Sequence, residues 1–170
     1  MMKRSALALA GALFVAGCAI APAPEFGPDG RPLPVAYTIT QREATQIAPR
    51  VLGQINQLRA QSGMGPLVLD PALTNAASTH SRDMAAQNRA WHFGSDGSSP
   101  PDRARNAGYG GTLIGEAISE SYENDIATLN AWMAARDTRD IIMDPNARAL
   151  GVSWFQEPSR KIWWTLLTAS

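Results

Sequence analysis

Two segments with strand character end the sequence, and they constrain the fold more than any other feature. Residues 149–156 (ALGVSWFQ) and 161–169 (KIWWTLLTA) are rich in the β-branched and aromatic residues that favour strands. The residues between them, 157–160 (EPSR), are typical of a hairpin turn. Trp163 and Trp164 point to opposite faces of such a strand. We therefore expect one ring in the core and the other at a cleft or a surface patch.

Helical patterns precede these strands. Thr40 and Glu43 have the spacing of a capping box, and apolar residues then recur on one helix face as far as Leu58. Asp70-Pro71 predicts the start of a second helix. Shorter patterns predict helices over 101–106 and 124–135, a further turn over 136–144 and an extended segment over 112–119. Helices followed by interleaved strands predict an α+β fold, a sheet covered by helices.

The start of the chain differs from the rest. Lys3 and Arg4 precede an apolar stretch over 5–16, which is typical of a signal peptide and too short for a mature membrane span. The string Val15-Ala16-Gly17-Cys18 resembles the lipobox of bacterial lipoproteins. We expect a signal peptide over 1–17, a lipidated Cys18 with a proline-rich tether over 18–39, and one domain over 40–170.

Cys18 is the single cysteine of the chain, so it cannot form an internal disulfide. Acylation with palmitate-type chains would make the membrane a partner. Ala19 after the cysteine favours the periplasmic side of the outer membrane in a Gram-negative cell, by resemblance to lipoproteins of that group. An ordinary secretory signal with a leftover cysteine is the alternative. The 15 basic and 15 acidic side chains balance, and no nucleic-acid partner is expected.

Motifs along the domain resemble the CAP superfamily of cysteine-rich secretory, antigen 5 and pathogenesis-related 1 proteins, in its cysteine-free bacterial type. The resemblance extends from about residue 43 to the C-terminus and implies a three-layer α-β-α sandwich with a mainly antiparallel central sheet. The matching strings are Gly65-Pro66-Leu67, Leu69-Asp70-Pro71, His92–Gly97 (HFGSDG), Arg103, Gly108-Tyr109, Gly115-Glu116, Trp132-Met133, Arg139 and Gly151-Val152.

The resemblance also implies a cleft lined by two histidines and two acidic residues, which can hold zinc. His92 matches the first histidine and Glu116 the first glutamate. The second acidic position falls at Ala135. The second histidine falls near Trp163 in the eukaryotic pattern, and at Thr138 in the bacterial one. Half of the tetrad is therefore missing.

His92 and Glu116 are the candidate catalytic and metal-binding residues. A dyad of this kind serves as a general base or as two ligands of a weak metal site, for which Asp96, Asp137 or Glu120 would have to supply a third ligand. His80 lies in apolar register, and we interpret it as a core ring bonded to a neighbour.

Four further residues are assigned cleft or structural roles. We expect Asp96 to form a turn with Gly97, and Arg103 and Arg139 to tie loop carboxylates or carbonyls. Tyr109 belongs to the Gly-Tyr string of the family pattern.

The sequence favours a lipid-anchored, cell-envelope binding module that catalyses nothing. The resemblance implies lipid, peptide or wall-component ligands without choosing among them. A hydrolase or peptidase that uses His92 and Glu116, with or without a divalent metal, is the alternative. A purely structural domain is the third hypothesis.

Overall fold

The structure is a computed structural model that describes residues 36–170. The expected signal peptide, Cys18 and most of the tether lie outside the described residues. Within residues 36–170, no helix combines the length and the apolar character that a membrane span requires. The elements follow one another as α1 (Gln41–Gln61), β1 (Val68–Leu69), α2 (Pro71–Gln87), α3 (Pro100–Asn106), β2 (Leu113–Ser121), α4 (Asp125–Ala134), α5 (Arg136–Ile142), β3 (Ala149–Gln156) and β4 (Ile162–Ala169).

The strands form one mixed sheet in the order β1-β3-β4-β2. β3 and β4 are the predicted hairpin, and β2 pairs antiparallel with the other side of β4. β1 pairs parallel with β3 through Val68 and Leu69. The sheet is thus mainly antiparallel, as expected, with β2 as an edge strand.

Helices cover both faces of the sheet. α1, α4 and α5 pack over one face, where Ile47, Leu129 and Ile142 meet Trp164 and Leu166 of β4. α2 and α3 pack over the other face, where apolar residues of both helices meet Leu167 and Ala169. The α+β, three-layer architecture that the sequence predicted is confirmed.

The burial of the two adjacent tryptophans corrects one expectation. Trp163 and Trp164 do point to opposite faces of β4, but both are fully buried because both faces are covered. Trp163 donates its indole N–H to Glu157 Oε1 at 2.7 Å. Neither ring is available to line a cleft or a surface patch.

Local capping residues determine where the two long helices begin. Thr40 and Glu43 complete the predicted capping box at the start of α1, and Asp70 accepts a hydrogen bond from the backbone N–H of Leu73 at the start of α2. α2 lies very close to β3 at Gly151, where a Cβ atom would come within 2.3 Å of the Leu73 carbonyl carbon. This close approach places the buried face of α2 directly over the sheet.

Candidate functional site

Glu116 is the centre of the candidate site, and the edge strand β2 positions it. Its partner across the sheet is Leu167, whose side chain belongs to the layer under α2 and α3. A shift in strand register between Leu113 and Gly115 immediately precedes it. Such irregularities often re-aim side chains at the edge of a sheet. The Glu116 side chain is only 1% exposed, so its charge must be met by the protein.

Two side chains bind the Glu116 carboxylate. His92 Nδ1 lies 2.8 Å from Oε1, and Arg103 Nη2 donates to Oε2 at 2.6 Å. Arg103 also donates from Nη1 to the carbonyl oxygens of His92 and Ser98, each at 2.9 Å. The guanidinium therefore ties the loop after α2 to the sheet, which is the kind of role that the sequence indicated for it.

His80 of α2 also borders this carboxylate. Its ring is fully buried, and Nε2 lies 3.0 Å from the Trp91 carbonyl oxygen and 3.7 Å from Glu116 Oε1. Since a carbonyl only accepts, Nε2 carries the hydrogen and donates it. Burial lowers the pKa of His80, although the Glu116 carboxylate opposes this shift. His80 is thus a neutral ring beneath the site.

The ring of His92, in contrast, is at the surface. Its side chain is 51% exposed, and Glu116 is its hydrogen-bond partner among residues 36–170. With Nδ1–H donated to the carboxylate, Nε2 carries the lone pair of this half-exposed ring. The site therefore presents one oriented imidazole acceptor to an incoming ligand.

The loop from Gly94 to Ser98 is held by two aspartates. Asp83 of α2 accepts from the backbone N–H of Ser95 at 2.8 Å and from its hydroxyl at 2.5 Å. Asp96 Oδ1 accepts from the backbone N–H of Ser98 at 2.9 Å. Hydrogen bonding from the Ser98 side chain and from this backbone N–H lowers the pKa of Asp96. Gly97 takes a φ of 80°. Asp96-Gly97 is thus the predicted turn.

Other sequence candidates lie elsewhere. Arg139 is exposed on α5 and approaches Asp140 at 3.7 Å, so it does not tie a loop at the site. Tyr109 donates its hydroxyl to the Ser170 carbonyl at 3.1 Å. Glu120 pairs with Lys161 at 3.1 Å. Asp137 is exposed in the first turn of α5.

The residues present do not fit the zinc site that the resemblance implies. The positive Arg103 donates to Glu116 Oε2 at 2.6 Å, and its charge opposes a cation beside this carboxylate. His80 Nε2 is bonded to the Trp91 carbonyl. In residues 36–170 no group of three or more His, Cys, Asp or Glu side chains is arranged so that it could hold a metal ion. His92 Nε2 is then a single ligand, whereas zinc sites usually have three or more.

The described residues also do not place a nucleophilic side chain against His92. Within the described chain, no serine, threonine or cysteine side chain hydrogen-bonds to His92, as an activated nucleophile would. Ser95 and Ser98 lie close in sequence, but the Ser95 hydroxyl is bonded to Asp83. What the arrangement can do is accept a hydrogen bond at His92 Nε2 from a ligand or a water molecule.

Sequence reasoning found His92, Glu116 and Arg103 but missed two contributors. It placed His80 in the core without placing it beside Glu116, and it did not assign Asp83 to the loop. Asp83 lies three residues after His80, so both project from neighbouring turns of α2. The three-residue spacing of His80 and Asp83, just before the His92 loop, is the sequence feature that could have indicated both residues.

Comparison with known proteins agrees with this fold. Residues 52–167 match the family model "CAP: Cysteine-rich secretory protein family". The uncharacterized protein YkwD of Bacillus subtilis (strain 168) is 29% identical over 114 residues, which cover 67% of this chain and 44% of that protein. The chain thus spans less than half the length of this curated relative.

Two solved structures share the architecture. An outer surface protein from Borrelia burgdorferi superposes with a TM-score of 0.69 at 14% identity, over 75% of this chain and 94% of that one. An extracellular protein containing a SCP domain from Bacillus anthracis str. Ames gives 0.65 at 23% identity, over 78% of this chain and 44% of that one. With the family model matching well over half of its residues, this chain belongs to the CAP, or cysteine-rich secretory protein, family.

Proposed function

We propose that this protein is a lipid-anchored module of the cell envelope that binds an envelope ligand at His92 and does not catalyse a reaction. The ligand classes are lipid, peptide and wall component. Cys18 would hold the module on the membrane, and the periplasmic side of the outer membrane is the expected place in a Gram-negative cell.

The main support for this proposal is the set of hydrogen bonds made by the buried Glu116 carboxylate. Arg103 and His92 each occupy one of its oxygens, and the side chain is buried. In this arrangement the carboxylate accepts from Arg103 and His92 and is not directed at a ligand. It does fix the orientation of the His92 ring, as a recognition group requires. Nε2 of this half-exposed ring then serves as an acceptor for a ligand N–H or O–H.

The envelope location draws on two kinds of support. The sequence places basic residues, an apolar stretch and a cysteine in the order of a lipoprotein signal. Two proteins of the same fold are described as an outer surface protein and an extracellular protein. An exported, surface-associated protein agrees with both.

Co-sedimentation tests the binding role. The full chain with Cys18→Ala would be mixed with purified peptidoglycan sacculi or with vesicles of phosphatidylethanolamine and phosphatidylglycerol. We expect the protein with His92 to bind one of the two, and the His92→Ala protein to bind about three- to tenfold more weakly, as loss of a hydrogen bond predicts. Arg136→Ala, an exposed change on α5, is the control. Equal binding by the His92→Ala protein would overturn the proposal.

A hydrolase is the second candidate, and one observation favours it. The Glu116 carboxylate behind Nδ1 leaves His92 Nε2 free to take a proton from water. The same sacculi, incubated with and without added zinc, separate the two functions. Release of soluble fragments by the wild-type site but not by His92→Ala would establish a hydrolase. Binding without release supports the module.

A further inference from the structure

A separate cavity lies beside the His92 site. It has a volume of about 380 Å³ and lies between α2, α3 and the loop that contains Ser95, Asp96 and Ser98. Small-molecule sites have volumes of roughly 300–1,000 Å³. Neither His92 nor Glu116 lines it.

The cavity wall offers hydrogen-bond donors and acceptors side by side. Asn75 and Thr79 come from α2, Asn106 comes from α3, and Asp83 and Asp96 add carboxylates. Asp83 already holds Ser95, and Asp96 already holds Ser98. Each carboxylate nevertheless keeps further lone pairs, because an oxygen accepts two hydrogen bonds.

Arg103 joins the cavity to the candidate site. Its side chain is 93% buried and lines the cavity, while Nη2 is held by Glu116. Its Nε–H has no hydrogen-bond partner within residues 36–170. A buried guanidinium donor without an acceptor is costly, so the Arg103 side chain is a strained part of the cavity wall.

We propose that this cavity binds a neutral, hydroxyl-rich ligand such as a short saccharide. A hydroxyl group donates and accepts at once, which matches a wall that mixes amides, hydroxyls and carboxylates. Asp83 and Asp96 repel an anion, since the charge of Arg103 is already balanced by Glu116. An ammonium group only donates, so it would leave the Asn75 and Asn106 amide donors unmatched.

This inference rests on the proposed binding function and extends it to a second contact surface. A wall glycan could place one sugar in the cavity while another part of the polymer meets His92. The two sites can be tested independently, because a short saccharide that fills the cavity does not need His92. Failure at one site therefore does not imply failure at the other.

Isothermal titration calorimetry of the full chain with Cys18→Ala tests the cavity. The probes are a trimer of N-acetylglucosamine and maltotriose, with trilysine and inorganic phosphate as the charged alternatives. Thr79→Trp would fill the cavity from an exposed position of α2, and Asn75→Ala would remove one amide. Ala86→Trp, exposed on α2 but outside the cavity lining, is the matched control.

We expect at least one neutral trimer to bind. Thr79→Trp should weaken its binding by about tenfold or more and Asn75→Ala by about threefold, the loss of one hydrogen bond. Ala86→Trp should leave the affinity within about twofold of the starting protein. Binding of trilysine or phosphate alone, binding of no probe, or an unchanged affinity in the Thr79→Trp protein would overturn the proposal.

Discussion

Loss of Arg103 should be costly to this domain, because its guanidinium joins a buried carboxylate to two loop carbonyls. Arg103→Ala leaves Glu116 buried with His92 as its remaining partner. Removing one partner of a buried ion pair costs about 3–5 kcal/mol. We expect a loss of this size in the free energy of unfolding, measured by urea denaturation followed by circular dichroism.

Arg105 provides the matched control on the same helix. It pairs with Asp102, but the Arg105 side chain is 68% exposed, and exposed pairs are worth less than about 1 kcal/mol. Adding Glu116→Gln to Arg103→Ala should recover part of the stability, since an amide is cheaper to bury than a carboxylate. Equal losses for Arg103→Ala and Arg105→Ala would contradict the role assigned to Arg103.

His80 should make the stability depend on pH in a defined window. Burial lowers its pKa in the folded state below the value of 6.5 for an unperturbed histidine, with Glu116 opposing and Arg103 reinforcing the shift. The unfolded chain therefore takes up the proton first as the pH falls below 6.5. The contribution of a neutral His80 is fully present above that pH and is lost progressively below it.

His80→Gln tests this window, because its amide can still donate to the Trp91 carbonyl. We expect the wild-type free energy of unfolding to fall more steeply than that of the His80→Gln protein between about pH 6.5 and pH 5. Glu43 does not interfere, since hydrogen bonds from Thr40 and Tyr37 lower its pKa from 4.5 to about 2, and its contribution is lost only as the pH falls below 4.5. Parallel slopes for the two proteins would refute the role of His80.

The packing of α2 on the sheet depends on Gly151 of β3. A Cβ atom there would lie 2.3 Å from the carbonyl carbon and 2.5 Å from the carbonyl oxygen of Leu73, so the backbone of α2 would have to move. We expect Gly151→Ala to lower the unfolding free energy by at least about 1–3 kcal/mol, the usual cost of overpacking. Urea denaturation measures this loss.

At Gly53 of α1, the same substitution to alanine should have the opposite effect on the unfolding free energy. A Cβ atom at Gly53 meets nothing within 4 Å, and the residue is exposed. Gly53→Ala should stabilise the domain by up to about 1 kcal/mol, because alanine is a better helix former. If both substitutions changed the unfolding free energy in the same direction, the close contact between Gly151 and α2 would not explain the effect of Gly151→Ala.

The elements differ in how well the sequence predicts them. The starts of α1 and α2 follow from caps that act within a few residues, so Thr40, Glu43 and Asp70 were sufficient. β1 was missed because Val68 and Leu69 are extended only through pairing with β3. The break between α4 and α5 falls at Ala135, which is extended without a side-chain cap of its own. The predicted helix over 124–135 and the predicted turn over 136–144 divide at the same position.

At the scale of the whole molecule, the site was predictable in part. His92 and Glu116 are 24 residues apart in sequence, and it was the family resemblance, not their spacing, that suggested the pair. The same resemblance could not show that Arg103 would occupy the second oxygen of Glu116 or that His80 would lie beneath the carboxylate. Those contacts depend on how α2 and α3 pack over the edge of the sheet.

The proposed lipid anchor at Cys18 leads to a prediction about where the whole protein is found in the cell. Each buried CH₂ of an acyl chain contributes roughly 0.8 kcal/mol, so one chain binds a bilayer reversibly and several hold it firmly. We expect the wild-type chain to incorporate radioactive palmitate and to fractionate with membranes. Cys18→Ala should abolish the label and move the chain to the soluble fraction. Its thermal unfolding midpoint should not change, because Cys18 lies outside residues 52–167, which match the family model.

Gly17→Ala is the control for this experiment, since it keeps a small residue before the cysteine and should leave both labelling and fractionation intact. A Cys18→Ala chain that still fractionates with membranes would refute the anchor, whatever its folding. Loss of the label without release from the membrane would separate lipidation from attachment, and attachment would then have to come from the domain. Because the sacculi and saccharide experiments use the Cys18→Ala chain, their outcomes do not depend on this result.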